Sequence, residues 1–216
     1  YQRASDRLHR FVMEGMKDNA ARLENTGVFY YPYLEQELAT GKGLLRTLGH
    51  RACVIVTDDF PAFFLPRMVA SAARQVSILM EKVDSNCVLP IRWTERVFLT
   101  AFSFRRFLQN NIEPHLHSFP RPDPLAEGVR PFNAQIPGQI LDRWPPAHDI
   151  LESLHDGSSA SFPIDHSVPP SPRRGGARAA SRTLGEFLKK GLDRYADCRN
   201  HPDDDAIINP KALYGK

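Results

Sequence analysis

Two short apolar runs in this chain end abruptly on carboxylates. Val54-Ile55-Val56-Thr57 runs into Asp58-Asp59, and Ile78-Leu79-Met80-Glu81-Lys82-Val83 runs into Asp84-Ser85-Asn86. A parallel strand buried on both faces reads as such a run, and open α/β sheets take their ligands at the carboxyl ends of the strands. Asp58 and Asp59 could therefore hydrogen-bond a cofactor ring or a ribose. Asp84 with Ser85 and Asn86 adds a carboxylate and two short polar groups able to seat a polar heterocycle. The structural alternatives are equally concrete: Asp58 and Asp59 capping the turn at Phe60-Pro61, and Asp84 to Asn86 closing a turn with no ligand.

Other chemistry-bearing residues are sparser. Arg92, Trp93 and Arg96 combine cationic and stacking groups suited to a nucleic acid or an aromatic pigment, unless Trp93 is simply packed. His115 and His117 flank Leu116 with no carboxylate or thiol cluster beside them, so no metal site is expected. Arg173, Arg174, Arg178 and Arg182 form a basic run that reads as a solvated linker or a phosphate contact. Cys53, Cys87 and Cys198 are widely spaced, which suits reduced thiols and a cytoplasmic location. Glycine-rich phosphate loops, nucleophile elbows and zinc-protease helices have no counterpart here. The net charge of +3 is too mild to argue for nucleic acid on charge alone. No apolar run approaches the roughly 18 residues of a membrane span.

The elements that must position these residues alternate. Leu8, Phe11, Val12, Met16, Ala20 and Leu23 have helical spacing, with Ser5 or Asp6 at the start and Gly27 at the end. Val28 to Leu34 has strand composition, although Pro32 places it at an edge. A helix over Glu37 to Leu48, a strand over Cys53 to Thr57, a helix over Leu65 to Gln75, a strand over Val76 to Val83 and a helix over Glu95 to Asn111 follow. Strands alternating with helices imply βαβ units and a three-layer α/β domain with a parallel sheet. Beyond His117 the pattern breaks, because 11 of the 18 prolines lie between Phe119 and Pro172. Ile150, Leu151 and Leu154 promise a short docked helix inside that stretch. Helical spacing returns through Leu184, Phe187, Leu188, Leu192 and Tyr195. An amphipathic helix at that place lacks partners, so its apolar face is expected either to pack back on the α/β domain or to drive self-association.

In order and spacing these segments resemble the DNA photolyases and cryptochromes, most closely the class II cyclobutane-dimer photolyases. The resemblance is carried by Val54-Ile-Val-Thr-Asp-Asp-Phe-Pro61, by Lys82-Val-Asp-Ser-Asn-Cys-Val-Leu-Pro90 with Trp93, by Phe98 to Ile112 leading to Pro114, and by Leu184-Gly-Glu-Phe-Leu188 with Tyr195-Ala-Asp-Cys-Arg-Asn-His-Pro202. It implies a Rossmann-like antenna-type domain over residues 1–117, a proline-rich interdomain linker over 118–180, and the start of an all-α flavin domain over 181–216. It also implies FAD and damaged DNA as the cofactor and partner of intact relatives, both held by a helical domain that here extends no further than its first helix. A deazaflavin or folate antenna would lie at Asp58, Asp59, Asp84, Ser85 and Asn86, and Tyr195 matches a tyrosine near the flavin phosphates. A first βα unit would precede Tyr1. By resemblance the enzyme class is a carbon–carbon lyase, while residues 1–216 alone are expected to be inactive in repair. The competing reading is a non-catalytic paralogue that binds a nucleotide or a partner.

Overall fold

The computed structural model describes residues 4–94, 96–130, 135–156 and 162–200. The chain divides into two compact units, one from Tyr1–Thr40 and Glu127–Lys216, the other from Gly41–Ala126.

The first unit is built on helix α1 (Asp6–Leu23). Ser5 pairs in an isolated parallel bridge with Asp165, and the Asp6 amide donates to the Asp165 carbonyl at 3.0 Å. Asp6 lies in the first turn, where its charge suits the helix dipole. The turn after α1 uses left-handed backbone at Asn25 and Gly27. Val28 to Leu34, expected as a strand, has no ladder partner among the described residues. Its hydrogen bonds go instead to an irregular segment: the Ala147 amide donates to the Pro32 carbonyl at 2.8 Å, and the Tyr31 hydroxyl donates to the Trp144 carbonyl. Trp144 is almost fully buried and donates its indole N–H to the Thr40 carbonyl at 2.9 Å.

That segment carries two short helices, counted in chain order as α5 (Gly138–Arg143) and α6 (His148–Glu152), and α6 continues into a 3-10 turn at Ser153–Asp156. Here the expected docked helix is present. Leu151 and Leu154, each 2% exposed, form the core with Met13 of α1 and Phe162, and Met16, Leu34, Ile150 and Ile164 pack around them. A proline-rich stretch thus supplies much of the unit's apolar interior, because prolines fix backbone direction while the apolar residues between them remain free to dock.

A third packed helix, counted in chain order as α7 (Ala177–Lys190), is tied to α1 by carboxylates. The Gly175 amide donates to Glu14 Oε2 at 2.6 Å and the Arg178 amide to Asp18 Oδ2 at 2.9 Å, which satisfies amides that a helix start leaves open. A Cβ at Gly175 would stand 2.2 Å from the Phe11 carbonyl oxygen, so only glycine lets the two backbones approach this closely. Leu184, Leu188 and Leu192 stay half exposed, and the last described helix, α8 (Tyr195–Cys198), follows.

The second unit contains α2 (Leu44–Gly49), β1 (Val54–Asp58), α3 (Leu65–Ala73), β2 (Leu79–Val83) and α4 (Ala101–Asn111). The helix expected from Glu37 is shortened to six residues by left-handed backbone at Ala39 and Gly43. The helix expected from Glu95 begins at Ala101, where Thr100 accepts from the Ser103 amide as an N-cap. β1 and β2 form a parallel pair in the register Val54↔Leu79 to Asp58↔Val83. One face, with Ile55, Thr57 and Met80, is partly covered, while Val54, Val56, Leu79 and Val83 on the other are exposed. The described residues are mixed helix and small parallel sheet, an α/β arrangement of two strands.

Candidate functional site

Parallel pairing with Asp58 opposite Val83 brings both acidic strand ends to the same edge of the sheet. The Asp59 amide donates to the Val83 carbonyl at 2.9 Å and extends the ladder one residue past β1. From there the side chains interlock. Ser85 Oγ donates to Asp58 Oδ1 at 2.7 Å, and Asn86 Nδ2 donates to the Asp59 carbonyl at 3.0 Å. Five residues read from sequence as one edge, Asp58, Asp59, Asp84, Ser85 and Asn86, do lie together.

Their roles differ. Asp84 receives the Ile91 amide on Oδ2 at 2.6 Å and the Asn86 amide on Oδ1 at 3.3 Å, so both its oxygens close the turn after β2. The Ile91 N–H, with help from Asn86 and Arg92, holds its carboxyl below the usual carboxylate range. This fixes the loop rather than offering a free acceptor. Asp58 and Asp59 each use one carboxylate oxygen, and among the described residues the second oxygen of each takes no hydrogen bond. Lys82 is the residue sequence reasoning missed: its Nζ lies 2.8 Å from Asp59 Oδ1. The signal was available, since Lys82 stands opposite Thr57 in the parallel register, one residue before the acidic pair. An exposed pair of this kind adds little stability, but it orients Asp59 and offsets one of the three carboxylate charges at this edge.

The edge is acceptor-rich. Ionised carboxylates accept and cannot donate, so the site suits a heterocycle presenting N–H groups and disfavours a phosphate. Tyr195 is in the first unit, where it opens α8 and meets the Phe187 ring edge-on at 5.7 Å. A single half-exposed tyrosine does not make a flavin site.

Trp93 is half exposed and donates its indole N–H to His115 Nε2, with the two rings T-shaped at 5.3 Å. His115 is therefore occupied as an acceptor, and among the described residues no group of three or more His, Cys, Asp or Glu side chains could hold a metal ion. No described helix is long and apolar enough to cross a membrane. Arg178 belongs to α7 and contributes its amide to the contact with α1.

The parallel pairing of β1 and β2 thus gathers the acidic strand ends of a small α/β unit at one sheet edge, the place where open α/β sheets take ligands. No protein-family model matches the chain. The chain is 24% identical over 210 residues, 97% of its length, to the deoxyribodipyrimidine photo-lyase of Methanothermobacter thermautotrophicus. It spans 42% of that protein's length. The likeness reaches the photolyases as a family and no finer.

Proposed function

We propose that this chain is the antenna-bearing α/β part of a photolyase-like protein of the class II type, acting in light-dependent repair of cyclobutane pyrimidine dimers. The observation that supports this reading is the similarity to part of a photo-lyase along 97% of this chain, together with the acidic strand edge. In this reading the two strands belong to a wider Rossmann-like, three-layer sheet, because parallel strands are stable almost only when both faces are covered. Residues 118–180 then serve as the interdomain linker and 181–216 as the start of the flavin domain. A deazaflavin or folate pigment lies against Asp58 and Asp59, with Ser85, Asn86 and Asp84 holding the loop that frames it. The pigment supplies light capture, and the residues of this chain supply its orientation. FAD and damaged DNA are assigned to no residue here beyond Tyr195. The exposed leucines of α7 are offered for self-association or for covering by further chain.

Titration of the full chain with 8-hydroxy-5-deazaflavin and with methenyltetrahydrofolate, followed by fluorescence, tests this. Weak binding is expected, because one sheet face is open, and it should be lost in Asp58→Ala/Asp59→Ala. Binding unchanged in that double variant would refute the site, and no binding of either pigment would favour the partner- or nucleotide-binding alternative. In parallel, the chain with added reduced flavin and near-ultraviolet light should reverse no dimers above a dark control.

A further inference from the structure

We propose that the face of α4 carries a nucleotide site separate from the acidic strand edge, taking a flat purine through aromatic and amide groups and its phosphate through two arginines. Between Val88 and Ile112 the chain holds four arginines, Arg92, Arg96, Arg105 and Arg106, against one glutamate, an excess equal to the net charge of +3 of all 216 residues. This segment is one of two locally cationic stretches, the other being Arg173 to Arg182, and it favours anions near α4.

Within it lies a cavity of about 390 Å³, lined by Arg96, Phe102, Arg106, Phe107, Asn110 and Asn111. That volume falls in the range of about 300–1,000 Å³ typical of small-molecule sites. The lining follows from helical spacing. Phe102, Arg106 and Asn110 are four residues apart, as are Phe107 and Asn111, so two adjacent columns on α4 present aromatic, cationic and amide groups in sequence.

Each group is suited to a part of a nucleotide. The Arg96 guanidinium lies 4.8 Å from the Phe98 ring centroid and 5.6 Å from that of Phe107, which orients its plane while leaving its N–H edges for an anion. Arg106 is exposed, with no ion pair among the described residues. Phe102 is 74% exposed, an aromatic face far larger than solvent contact favours and ready for a base to stack on. Asn111 Nδ2 is engaged with the Phe107 carbonyl at 2.7 Å, whereas the Asn110 amide takes no hydrogen bond among the described residues. A free Asn amide pairs bidentately with the N6/N7 edge of adenine, which selects a purine. A mononucleotide fits better than a strand, because the cavity offers one stacking platform and one pair of cations rather than a groove.

Calorimetric titration of the full chain with adenosine 5′-monophosphate, adenosine and inorganic phosphate is the test. The monophosphate should bind more tightly than adenosine by about tenfold or more, the worth of one charge-assisted contact. Arg106→Gln should narrow that difference and Arg96→Gln/Arg106→Gln should abolish it, while Arg106→Gln leaves adenosine binding intact. Phe102→Ala should weaken both ligands. Both side chains are exposed, so the melting curve should not move, and Asp58→Ala should leave the monophosphate affinity unchanged. Equal affinity for adenosine and its monophosphate, or full monophosphate affinity in Arg106→Gln, would overturn the proposal. So would an oligothymidylate that outcompetes the monophosphate at equal phosphate concentration, since that would make the surface a strand-binding one.

Discussion

Leu151→Ala and Leu154→Ala should both destabilise the first unit, and by different amounts. Each leucine is 2% exposed and touches the same core of Met13 and Phe162. Cutting the isobutyl side chain back to a methyl forfeits about 2 kcal/mol of transfer free energy, plus a term of about 24 cal/mol per Å³ for any void that stays empty, for a usual total of about 2–5 kcal/mol. Leu151 lines an open cavity of about 470 Å³ with Lys17, Tyr30 and His148, so the space it vacates joins one that water already reaches. Leu154 does not line that cavity and is surrounded by the core cluster, so its removal should leave a void within the core. Leu151→Ala should therefore cost about 2–3 kcal/mol and Leu154→Ala about 4–5 kcal/mol. The chain has two tryptophans, Trp144 buried in the first unit and Trp93 half exposed in the second, so Trp93→Phe isolates a reporter for the first unit. Urea unfolding followed by Trp144 emission in that background gives both values, with Val56→Ala, at a position 58% exposed, as a control expected within about 0.5 kcal/mol of the parent. Costs below about 1 kcal/mol for both leucines would show that the proline-rich segment rests on α1 without forming its core. Equal costs would refute the distinction drawn from the cavity.

The stability of the first unit should also depend on His166. Its Nδ1 lies 2.8 Å from Asp6 Oδ2 and its Nε2 lies 2.9 Å from the Phe162 carbonyl, and two acceptors on one ring require the imidazolium. The Asp6 carboxylate, with the Phe162 carbonyl, raises its pKa above the ordinary 6.5. Its contribution is thus complete below pH 6.5 and is lost as pH rises through the higher folded value, so the gap in melting temperature between the parent and His166→Gln should be wide at acid pH and narrow in mild alkali. A gap that widened with pH would contradict the imidazolium. Two glycine substitutions should have opposite signs in a circular-dichroism melt. Gly175→Ala drives a Cβ to 2.2 Å from the Phe11 carbonyl oxygen and should cost at least about 1–3 kcal/mol, whereas a Cβ at Gly185, inside α7, meets nothing within 4 Å and should gain about 0.5–1 kcal/mol.

The acidic edge was legible because it depends only on short-range grammar. An apolar run that stops on a carboxylate needs no distant partner to be read, and parallel pairing then aligns two such stops. Leu151 and Leu154 were legible for a related reason: isolated leucines among prolines have few uses other than anchoring. What could not be read was which surface would receive them. The contacts of α1 with Glu152, Gly175 and Arg178 span more than 130 residues, and nothing local to either partner specifies the other. The basic run at Arg173 to Arg182 looked like a solvated linker because its charges dominate the composition. The decisive feature was the Gly175-Gly176 pair, whose missing side chains admit the backbone of α1. Val28 to Leu34 misled in the other direction. Its β propensity is real, but propensity describes a half-buried pleated surface and does not supply a neighbouring strand.

The two sites proposed for the second unit are opposite in sign, and this would constrain how ligands distribute. Asp58 and Asp59 present acceptors, with Lys82 paired to Asp59, whereas Arg96, ahead of α4, and Arg106, on it, present donors with no acidic partner among the described residues. A pterin or deazaflavin ring can satisfy carboxylates through its N–H groups, but a phosphate brought to that edge meets two like charges. The reverse holds at α4, where an anion gains two guanidinium contacts and a neutral ring gains only stacking. Each site rejects the part of a ligand that the other accepts, a discrimination that rests on repulsion as much as on attraction. Exchanging charge should therefore exchange preference. Asp58→Asn/Asp59→Asn should turn the strand edge from repelling a phosphate to admitting one, because it removes two like charges, adds amide N–H donors and releases Lys82 from its ion pair. Arg96→Glu/Arg106→Glu should do more at α4, converting an anion site into one that excludes the monophosphate while still admitting adenosine.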